Sequence, residues 1–408
     1  LPCHFQDSGI FSCTSALQNI YKPCQFKWRM KIGFLITYFY PRSGGAESNC
    51  FYLAKELAKN HEVHVFTSGE ADAEEVIGGI KVHRCREIFR IKYYLAYYPS
   101  LIKKLLAWNL DVLHIHGLGF WQHDSAIKKY KQKYPKTKII CTPHGPFMAL
   151  KKYNLLGSMF KNIYTNFIIK NLASYNAVIQ VNPYQRKWIE DEYKVSRDKI
   201  KFVPNGIPKE AFRKLNKVHL SSVNVKYNLS GKLIISYLGR IQKYKGLDQV
   251  IQVLPDLIKI TPNMLFLAIG KDAGDKERLD KLAKELNVYN NIIFTGEVSE
   301  DEKLALLELS DIFVFPSEWE AFGIAMLEAM ARGNAVVSSK TEGGQYLIEE
   351  GKNGFLYNYQ DLTELKEKLA VLIKSDALRK KMQKANIKKA KSFLWPNIAK
   401  KLEEVYKN

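Results

Sequence analysis

Short apolar runs rich in β-forming residues alternate with longer helical patterns along most of this chain. Strands that alternate with helical crossovers form parallel sheets, so this order predicts an α/β protein. Helices fill most of the gaps, for instance 46–59 and 160–173, and two more are predicted at 361–374 and 376–391. We predict strands at about 31–37, 62–67, 111–115, 138–142, 177–181, 200–203, 232–238, 264–269, 291–295, 312–315 and 335–338.

The strands fall into two series, separated by the turn signal Pro204-Asn205-Gly206 and a polar stretch that ends near residue 230. A chain of 408 residues suits two domains. We therefore predict one α/β unit over 30–206 and a second over 207–392, followed by a last helical segment at 393–408. Ligands of open α/β sheets bind beyond the carboxyl ends of the strands, so we expect the site between the two units.

The first 29 residues lack the apolar core of a signal peptide, and Met30 directly precedes the first predicted strand. We expect 1–29 to be an extension outside the fold; a functional arm is the alternative. No apolar run reaches the roughly 18 residues that a membrane span needs. Six cysteines without a C-x-x-C pair predict reduced thiols, as in a cytoplasmic protein.

The formal net charge of +21 is strongly basic, and most of the excess precedes Gly206. Such a surface suits nucleic acid, anionic lipid or a phosphorylated substrate, and it can also be a solvated face without a partner. We find no zinc-finger or aromatic RNA-binding signature, so a nucleic-acid binder rests on the charge alone.

Glycine and histidine follow strands of the first unit. Gly44 and Gly45 stand between the first strand and a helix, where backbone amides can approach an anion. His144 follows the strand at 138–142, at the edge that faces the expected site. Each signal is weak alone, because a Gly-Gly pair is often only a turn and a lone histidine is often structural.

Two cations follow the first strand of the second unit. Gly239 and Arg240 end that strand, and Lys245 precedes the next helix. Fixed cations beside free amides suit a diphosphate, although a solvated basic loop has the same composition. The stretch lacks the Gly-Lys-Ser/Thr ending of a phosphate-binding P-loop.

Two carboxylates flank a glycine in Pro316–Ala331. We predict that Glu320 lies in a loop, that a helix begins near Phe322 or Gly323, and that Glu328 lies in this helix. The helix amides favour phosphate, and the carboxylates accept hydrogen bonds from sugar hydroxyls. The stretch therefore predicts a clamp for a ligand with both groups; a capped helix with a surface glutamate is the alternative.

Together these motifs resemble glycosyltransferase family 4: G-G-x-E, T-P-H-G, P-N-G, G-R-x-x-x-x-K-G and P-S-x-x-E-x-F-G-x-x-x-x-E-A-M-A. The resemblance covers essentially 30–408. It implies the GT-B fold, with two Rossmann-like domains that face each other across a cleft and a C-terminal helix that crosses back to the first. It also implies retaining transfer from a UDP- or GDP-sugar without a metal. The chain contains no D-x-D sequence, which argues against the metal-dependent alternative fold.

The resemblance assigns the N-terminal domain to the acceptor and the C-terminal domain to the nucleotide sugar. Arg240 and Lys245 resemble the pair that holds and stabilises the leaving diphosphate. Glu328 resembles the residue that binds the donor ribose, and Glu320 resembles the one that contacts the transferred sugar. His144 resembles the histidine beside that sugar. The remaining donor-binding positions are Gly44, Gly45, Gly239, Val298 at the nucleobase, Phe322, Gly323 and Ile324.

The chain departs from the family where many relatives have G-G-x-P-E, because it has Glu342-Gly343-Gly344-Gln345-Tyr346. Donor identity is therefore open, and Glu318 is an acidic neighbour outside the motif register. Basic and aromatic residues mix at 93–108, 128–138 and 151–170, which predicts docking on an anionic membrane and a lipid-linked acceptor at its cytosolic face. The alternatives are core aromatics with solvated lysines, a soluble-acceptor transferase of the sucrose or glycogen synthase type, and a nucleotide-sugar-binding protein without catalysis.

Overall fold

The computed structural model describes residues 29–42, 44–91, 95–147 and 155–408. The predictions for the extension therefore lie outside the described residues, apart from Arg29. The same holds for residues 151–154 of the third basic-aromatic segment and for Tyr93 and Tyr94 of the first.

The first half forms an eight-stranded sheet in the order β10-β9-β8-β7-β1-β2-β4-β3, and β5 and β6 form a separate hairpin. Every pairing in the large sheet is parallel except that of β3 with β4. The predicted list lacked β3 to β6 and the strand at 354–357 of the second half. β3 is mostly exposed at the edge of its sheet, and β5, β6 and the strand at 354–357 have only three or four residues each. The strands are β1 (Lys31–Leu35), β2 (Glu62–Gly69), β3 (Ala73–Ile77), β4 (Ile80–Arg86), β5 (Phe89–Ile91), β6 (Leu95–Tyr97), β7 (Val112–His116), β8 (Lys138–Thr142), β9 (Ala177–Gln180) and β10 (Ile200–Phe202).

The second half forms a six-stranded sheet in the order β13-β12-β11-β14-β15-β16, and all of its pairings are parallel. Its central strands are fully buried, as expected for a sheet with helices on both faces. The strands are β11 (Leu233–Leu238), β12 (Met264–Ile269), β13 (Ile292–Gly296), β14 (Ile312–Phe315), β15 (Ala335–Ser339) and β16 (Gly354–Tyr357).

Helices connect the strands and cover both sheets. They are α1 (Gly45–Leu57), α2 (Ser100–Leu106), α3 (Trp121–Lys133), α4 (Leu155–Ala173), α5 (Gln185–Asp191), α6 (Lys217–Lys226), α7 (Leu247–Ile260), α8 (Lys276–Glu285), α9 (Glu300–Glu308), α10 (Ile324–Ala331), α11 (Glu342–Leu347), α12 (Leu362–Lys374), α13 (Asp376–Lys391) and α14 (Trp395–Lys407). None of the helices in the described part of the chain is long and apolar enough to cross a bilayer.

The last helix, α14, packs on the first half of the chain. Its apolar side chains Trp395, Ile398, Leu402 and Tyr406 are buried in the core cluster that contains β1 and α1 residues. At the crossing, Ile207 N donates to the Phe393 carbonyl (2.7 Å). A Cβ on Gly206 would lie 2.6 Å from the Trp395 ring, so only glycine fits the P-N-G turn here. The structure thus confirms the predicted α/β architecture, with two parallel sheets and a returning C-terminal helix.

Candidate functional site

Loops from both halves meet at the carboxyl ends of the strands. Gly145 follows β8, and a Cβ added to it would lie 2.9 Å from the Trp319 ring of the loop after β14. Asn182, which follows β9, donates through Nδ2 to the Ala321 carbonyl of that same loop. The T-P-H-G motif and the P-S-x-x-E motif, far apart in sequence, therefore face each other across one cleft.

Lys245, one of the two predicted cations, forms an ion pair with the predicted carboxylate Glu320. Lys245 is only 9 % exposed, and its Nζ lies 2.9 Å from Glu320 Oε2. Its ammonium also lies over the rings of Tyr244 (4.8 Å) and Phe315 (5.4 Å). Burial acts to lower the pKa of Lys245, but the charges and hydrogen bonds of Glu320 and Tyr244 together outweigh this effect, so the pKa is raised. The lysine is thus a fixed positive charge within a mostly apolar wall.

Gly323 lies between the two predicted carboxylates and starts helix α10. Its φ of 85° is a left-handed conformation that glycine adopts without strain, and the turn places it as the N-cap. Gly323 N donates to Glu320 Oε1 (3.3 Å). A Cβ at this position would lie 2.8 Å from Met326 Cε. The Glu320 carboxylate therefore lies at the N-terminus of α10, bonded to the Gly323 amide.

Glu328 lies inside α10 and is paired with a lysine that the sequence did not indicate. Its Oε1 is 2.9 Å from Lys303 Nζ of helix α9. Burial raises the pKa of Glu328, and the positive charge of Lys303 opposes this rise. Val298, the predicted nucleobase neighbour, is partly buried just before α9. The two glutamates thus belong to separate ion pairs at the two ends of one helix segment.

Arg240 is exposed beside Gly239 and faces the first half of the chain. Glu47 of the G-G-x-E motif lies opposite to it in α1. Burial raises the pKa of Glu47, whereas its backbone hydrogen bond and the charge of Arg240 act to lower it, so Arg240 lies within electrostatic reach of Glu47. The Glu47 carboxylate folds back over Gly44 at the start of α1. The glycine pair and Arg240 therefore lie on opposite walls of the cleft.

His144 is held in a left-handed backbone conformation, with φ of 61°, which is uncommon for a residue other than glycine. Its Nε2 lies 2.9 Å from Nδ1 of His116, the last residue of β7. Burial lowers the pKa of His144 to about 4 and that of His116 well below its ordinary value. The pair is therefore neutral at pH 7, and one ring donates to the other. The sequence signal for His116 was its place at the carboxyl end of the strand D-V-L-H-I-H.

The loop that departs from the family pattern forms contacts away from Glu328. Glu342 Oε1 accepts from Trp188 Nε1 (3.1 Å), a bond that joins the two halves of the chain. Tyr346 packs against Phe322 and against Phe202 and Phe393, which lie near the crossing of the chain. Gly343 N donates to the Glu320 carbonyl (3.0 Å). The α11 segment that departs from the family pattern therefore contacts the Glu320 loop and connects the two halves of the chain.

Comparison with known proteins agrees with this geometry. The family model described as Glycosyltransferase Family 4 matches residues 43–211, and the model described as Glycosyl transferases group 1 matches residues 224–389. Together they cover most of the chain. The chain belongs to glycosyltransferase family 4, the group 1 enzymes, whose members are retaining and typically independent of metal ions.

Individual relatives are distant but match over almost their whole length. Spore coat protein SA from Bacillus subtilis is 27% identical over 92% of this chain and 99% of its own. A phosphatidyl-myo-inositol mannosyltransferase from Mycobacterium leprae is 24% identical over 92% of this chain and 96% of its own. Among solved structures, sucrose-phosphate synthase from Thermosynechococcus elongatus superposes with a TM-score of 0.75 at 19% identity, covering 93% and 98%. HepE from Anabaena in complex with UDP-glucose superposes with a TM-score of 0.70 at 18% sequence identity, covering 92% of this chain and 99% of its own.

These findings define a glycosyltransferase that moves a sugar from a nucleotide-sugar donor. The fold prediction is confirmed, as is the prediction of the enzyme class. The roles of the individual site residues, and the division of the chain into an acceptor domain at 30–206 and a donor domain at 207–392, remain predictions.

Proposed function

We propose that the enzyme transfers a hexose, with retention, from a UDP- or GDP-sugar to a hydroxyl of a lipid-linked glycan acceptor. Such a reaction would serve the assembly of a cell-surface glycan, a glycolipid or a protein-glycosylation precursor. The observation that carries the proposal is the arrangement around α10, where Glu320 and Lys245 lie at its start and Glu328 lies within it. A phosphate site between two carboxylates suits a nucleotide sugar, which has hydroxyls at both ends of a diphosphate.

In this proposal Arg240, Lys245 and the first amides of α10 bind the diphosphate. They stabilise the charge that develops on it as the glycosidic C–O bond breaks, and they are oriented before the reaction. The electron pair of that bond passes to the diphosphate oxygen. The acceptor hydroxyl attacks the anomeric carbon from the same face, and its proton passes to the departing diphosphate. Lys245 keeps its charge in the buried site because Glu320 lies beside it.

His144 acts in this scheme as a neutral hydrogen-bonding group beside the transferred sugar. Burial lowers its pKa to about 4, so it is not a cation at pH 7. The bond to His116 fixes its ring, and the next residue, Gly145, lies against Trp319 of the Glu320 loop. Glu320 would then accept a hydrogen bond from a hydroxyl of the same sugar, through the carboxylate that also binds Lys245.

The membrane part of the proposal rests on two exposed apolar areas of the first half. Helix α4 exposes Met159, Phe160, Ile163 and Phe167, of which Ile163 is 70 % exposed, and the same helix carries Lys161 and Lys170. The hairpin of β5 and β6 exposes Phe89 and Ile91, and Tyr97 stacks on Trp121 of α3. Apolar side chains among lysines match the chemistry of an anionic bilayer surface, and we propose that this membrane-facing side places the enzyme at the cytosolic leaflet.

The segment at 128–138 is only partly exposed, and some of its six lysines are bonded within the fold. Tyr130 is fully buried in the core. Lys131 donates to the Ser174 carbonyl (2.7 Å) and Lys133 donates to the Leu106 carbonyl (2.9 Å). These two lysines bind carbonyl groups at the C-terminal ends of α4 and α2. The proposal therefore uses only the hairpin and α4.

A thermal-shift screen with UDP, GDP, ADP and their sugars tests the donor part. A nucleotide at 100 times its dissociation constant should stabilise the protein by about 2.7 kcal/mol, and Glu328→Gln should lose most of this shift. Conversion of the bound sugar nucleotide to product in the presence of membrane extract supports transfer. Binding without transfer to any acceptor or to water would indicate the non-catalytic alternative, and efficient transfer to a soluble sugar would indicate the alternative that sucrose-phosphate synthase represents.

Vesicle sedimentation tests the membrane part. The wild type should sediment with vesicles of mixed neutral and anionic lipid and dissociate at high salt, because attraction to the surface charge is screened. Ile163→Asp should weaken this binding, since it puts a charge into the proposed apolar face. Val225→Asp is the matched control, because Val225 is 77 % exposed on α6 in the second half. Equal sedimentation of both variants would refute the surface.

A further inference from the structure

We propose that Lys303 is a positioning residue that holds the Glu328 carboxylate ready for the donor ribose. The inference rests on the proposed role of Glu328 and adds a residue that none of the sequence motifs contains. Lys303 does not touch the ligand in this scheme; it acts through Glu328.

The geometry places Lys303 between two carboxylates. Its Nζ lies 2.9 Å from Glu328 Oε1 and 2.8 Å from Glu300 Oε2. The side chains of Lys303 and Glu328 are 13 % and 18 % exposed, whereas that of Glu300 is 81 % exposed. The lysine stem therefore crosses from α9 to α10 beneath the surface, and only its outer partner is in water. A buried ion pair of this kind orients its members more firmly than an exposed one.

Lys303 also affects the ionisation of Glu328. Burial favours the neutral form of each partner, and each partner's charge opposes that effect in the other. The other charged or titratable groups that face this pair are Glu300 on α9 and Tyr52 on α1, whose pKa is raised by burial and then by Glu300. Lys303 is thus the cation that these contacts place against the Glu328 carboxylate.

An ionised carboxylate has only acceptor positions, whereas a protonated one also donates. With Oε1 bonded to Lys303, Oε2 is the oxygen that remains for the ribose hydroxyls. Removal of Lys303 would leave a buried carboxylate that takes up a proton more readily and that is no longer oriented. We therefore expect weaker donor binding that recovers as the pH is raised and Glu328 ionises.

The test compares Lys303→Met, Lys303→Arg and Glu300→Gln in the full chain. Methionine keeps the apolar stem, arginine keeps the charge, and Glu300→Gln removes only the exposed partner. The readouts are the dissociation constants of UDP and GDP by calorimetry between pH 6 and 8.5, and the same measurement with the 2′-deoxy nucleotide. Thermal melts without ligand confirm that each variant is folded.

Lys303→Met should weaken binding of the preferred nucleotide by about 10- to 100-fold at pH 6.5, as expected for loss of a charge-assisted contact. The loss should shrink at pH 8.5, and the variant should discriminate less against the 2′-deoxy nucleotide. Lys303→Arg and Glu300→Gln should stay within about threefold of the wild type. A folded Lys303→Met variant with wild-type affinity at every pH would overturn the inference alone. A wild type that binds no nucleoside diphosphate would overturn the proposed function and this inference with it.

Discussion

Acid should destabilise the first half of the chain in particular, because four histidines are buried there in their neutral form. His64, His114, His116 and His123 are each at most 2 % exposed. Burial lowers the pKa of His64 to about 4 and those of His114 and His123 to about 3, and it lowers that of His116 well below 6.5. The unfolded chain therefore binds protons that the folded chain excludes. The stability that these groups provide is present above pH 6.5 and is lost as the pH falls below it.

The loss of unfolding free energy depends more on the number of these buried histidines than on their individual pKa values. At pH 5.5 an unfolded histidine with a pKa of 6.5 binds its proton with a free energy of about 1.4 kcal/mol, whereas the folded group remains neutral. These four groups together remove about 6 kcal/mol of stability. His144 and His83, whose pKa values are also lowered by burial, add to this loss. Burial raises the pKa of Asp124 to about 6, so this carboxyl gains roughly 0.8 kcal/mol in the opposite direction. The net loss of at least about 5 kcal/mol is comparable with the whole stability of a typical domain.

Urea unfolding at pH 7.5 and 5.5, followed by hydrogen–deuterium exchange with peptide resolution, separates the two sheets. Exchange protection of β7 and β8 should fall far more than that of β11 and β14. The matched variant is His123→Gln, because a glutamine amide can keep the bond from the imidazole Nε2 position to Tyr98 Oη (2.9 Å) without titrating. Its pH effect should be smaller than that of the wild type by about 1.4 kcal/mol. A change below about 1 kcal/mol between the two pH values, or an equal loss in both sheets, would refute the reasoning.

Three substitutions test other parts of the structure. Gly323→Ala should cost about 1–3 kcal/mol and weaken nucleotide binding, because a Cβ is strained at φ 85° and meets a methionine; unchanged ligand-induced melting shifts would contradict this. Leu402→Ala in α14 should destabilise the first half by about 2–5 kcal/mol in urea titrations, whereas the exposed Val225→Ala should stay within about 0.5 kcal/mol. Tyr406→Phe should cost about 1–3 kcal/mol by the same assay, because it leaves the buried Nδ1 of His114 unpaired; a neutral effect would show that this bond adds nothing.

The sequence alone predicted the features that depend on local pattern. Eleven predicted strands coincide with observed strands within a few residues, since a buried parallel strand needs a continuous apolar run whatever its neighbours are. The start of α10 at Gly323 followed from the glycine and the helical pattern after it. The order of the motifs was also enough to identify the family, because its glycines, cations and carboxylates stand at fixed places after the strands.

The tertiary structure decided which side chains meet. No motif indicated that Lys303 pairs with Glu328, that His116 supports His144, or that Glu342 binds Trp188. The sequence reading also missed β3 to β6 and the edge strand β16, because β3 is mostly exposed and β5, β6 and β16 have only three or four residues each. Local pattern determines the period and the burial of an element, whereas these contacts depend on how separate elements pack. An ion pair or a hydrogen bond between residues far apart in sequence exists only once the sheets and helices have brought its partners together.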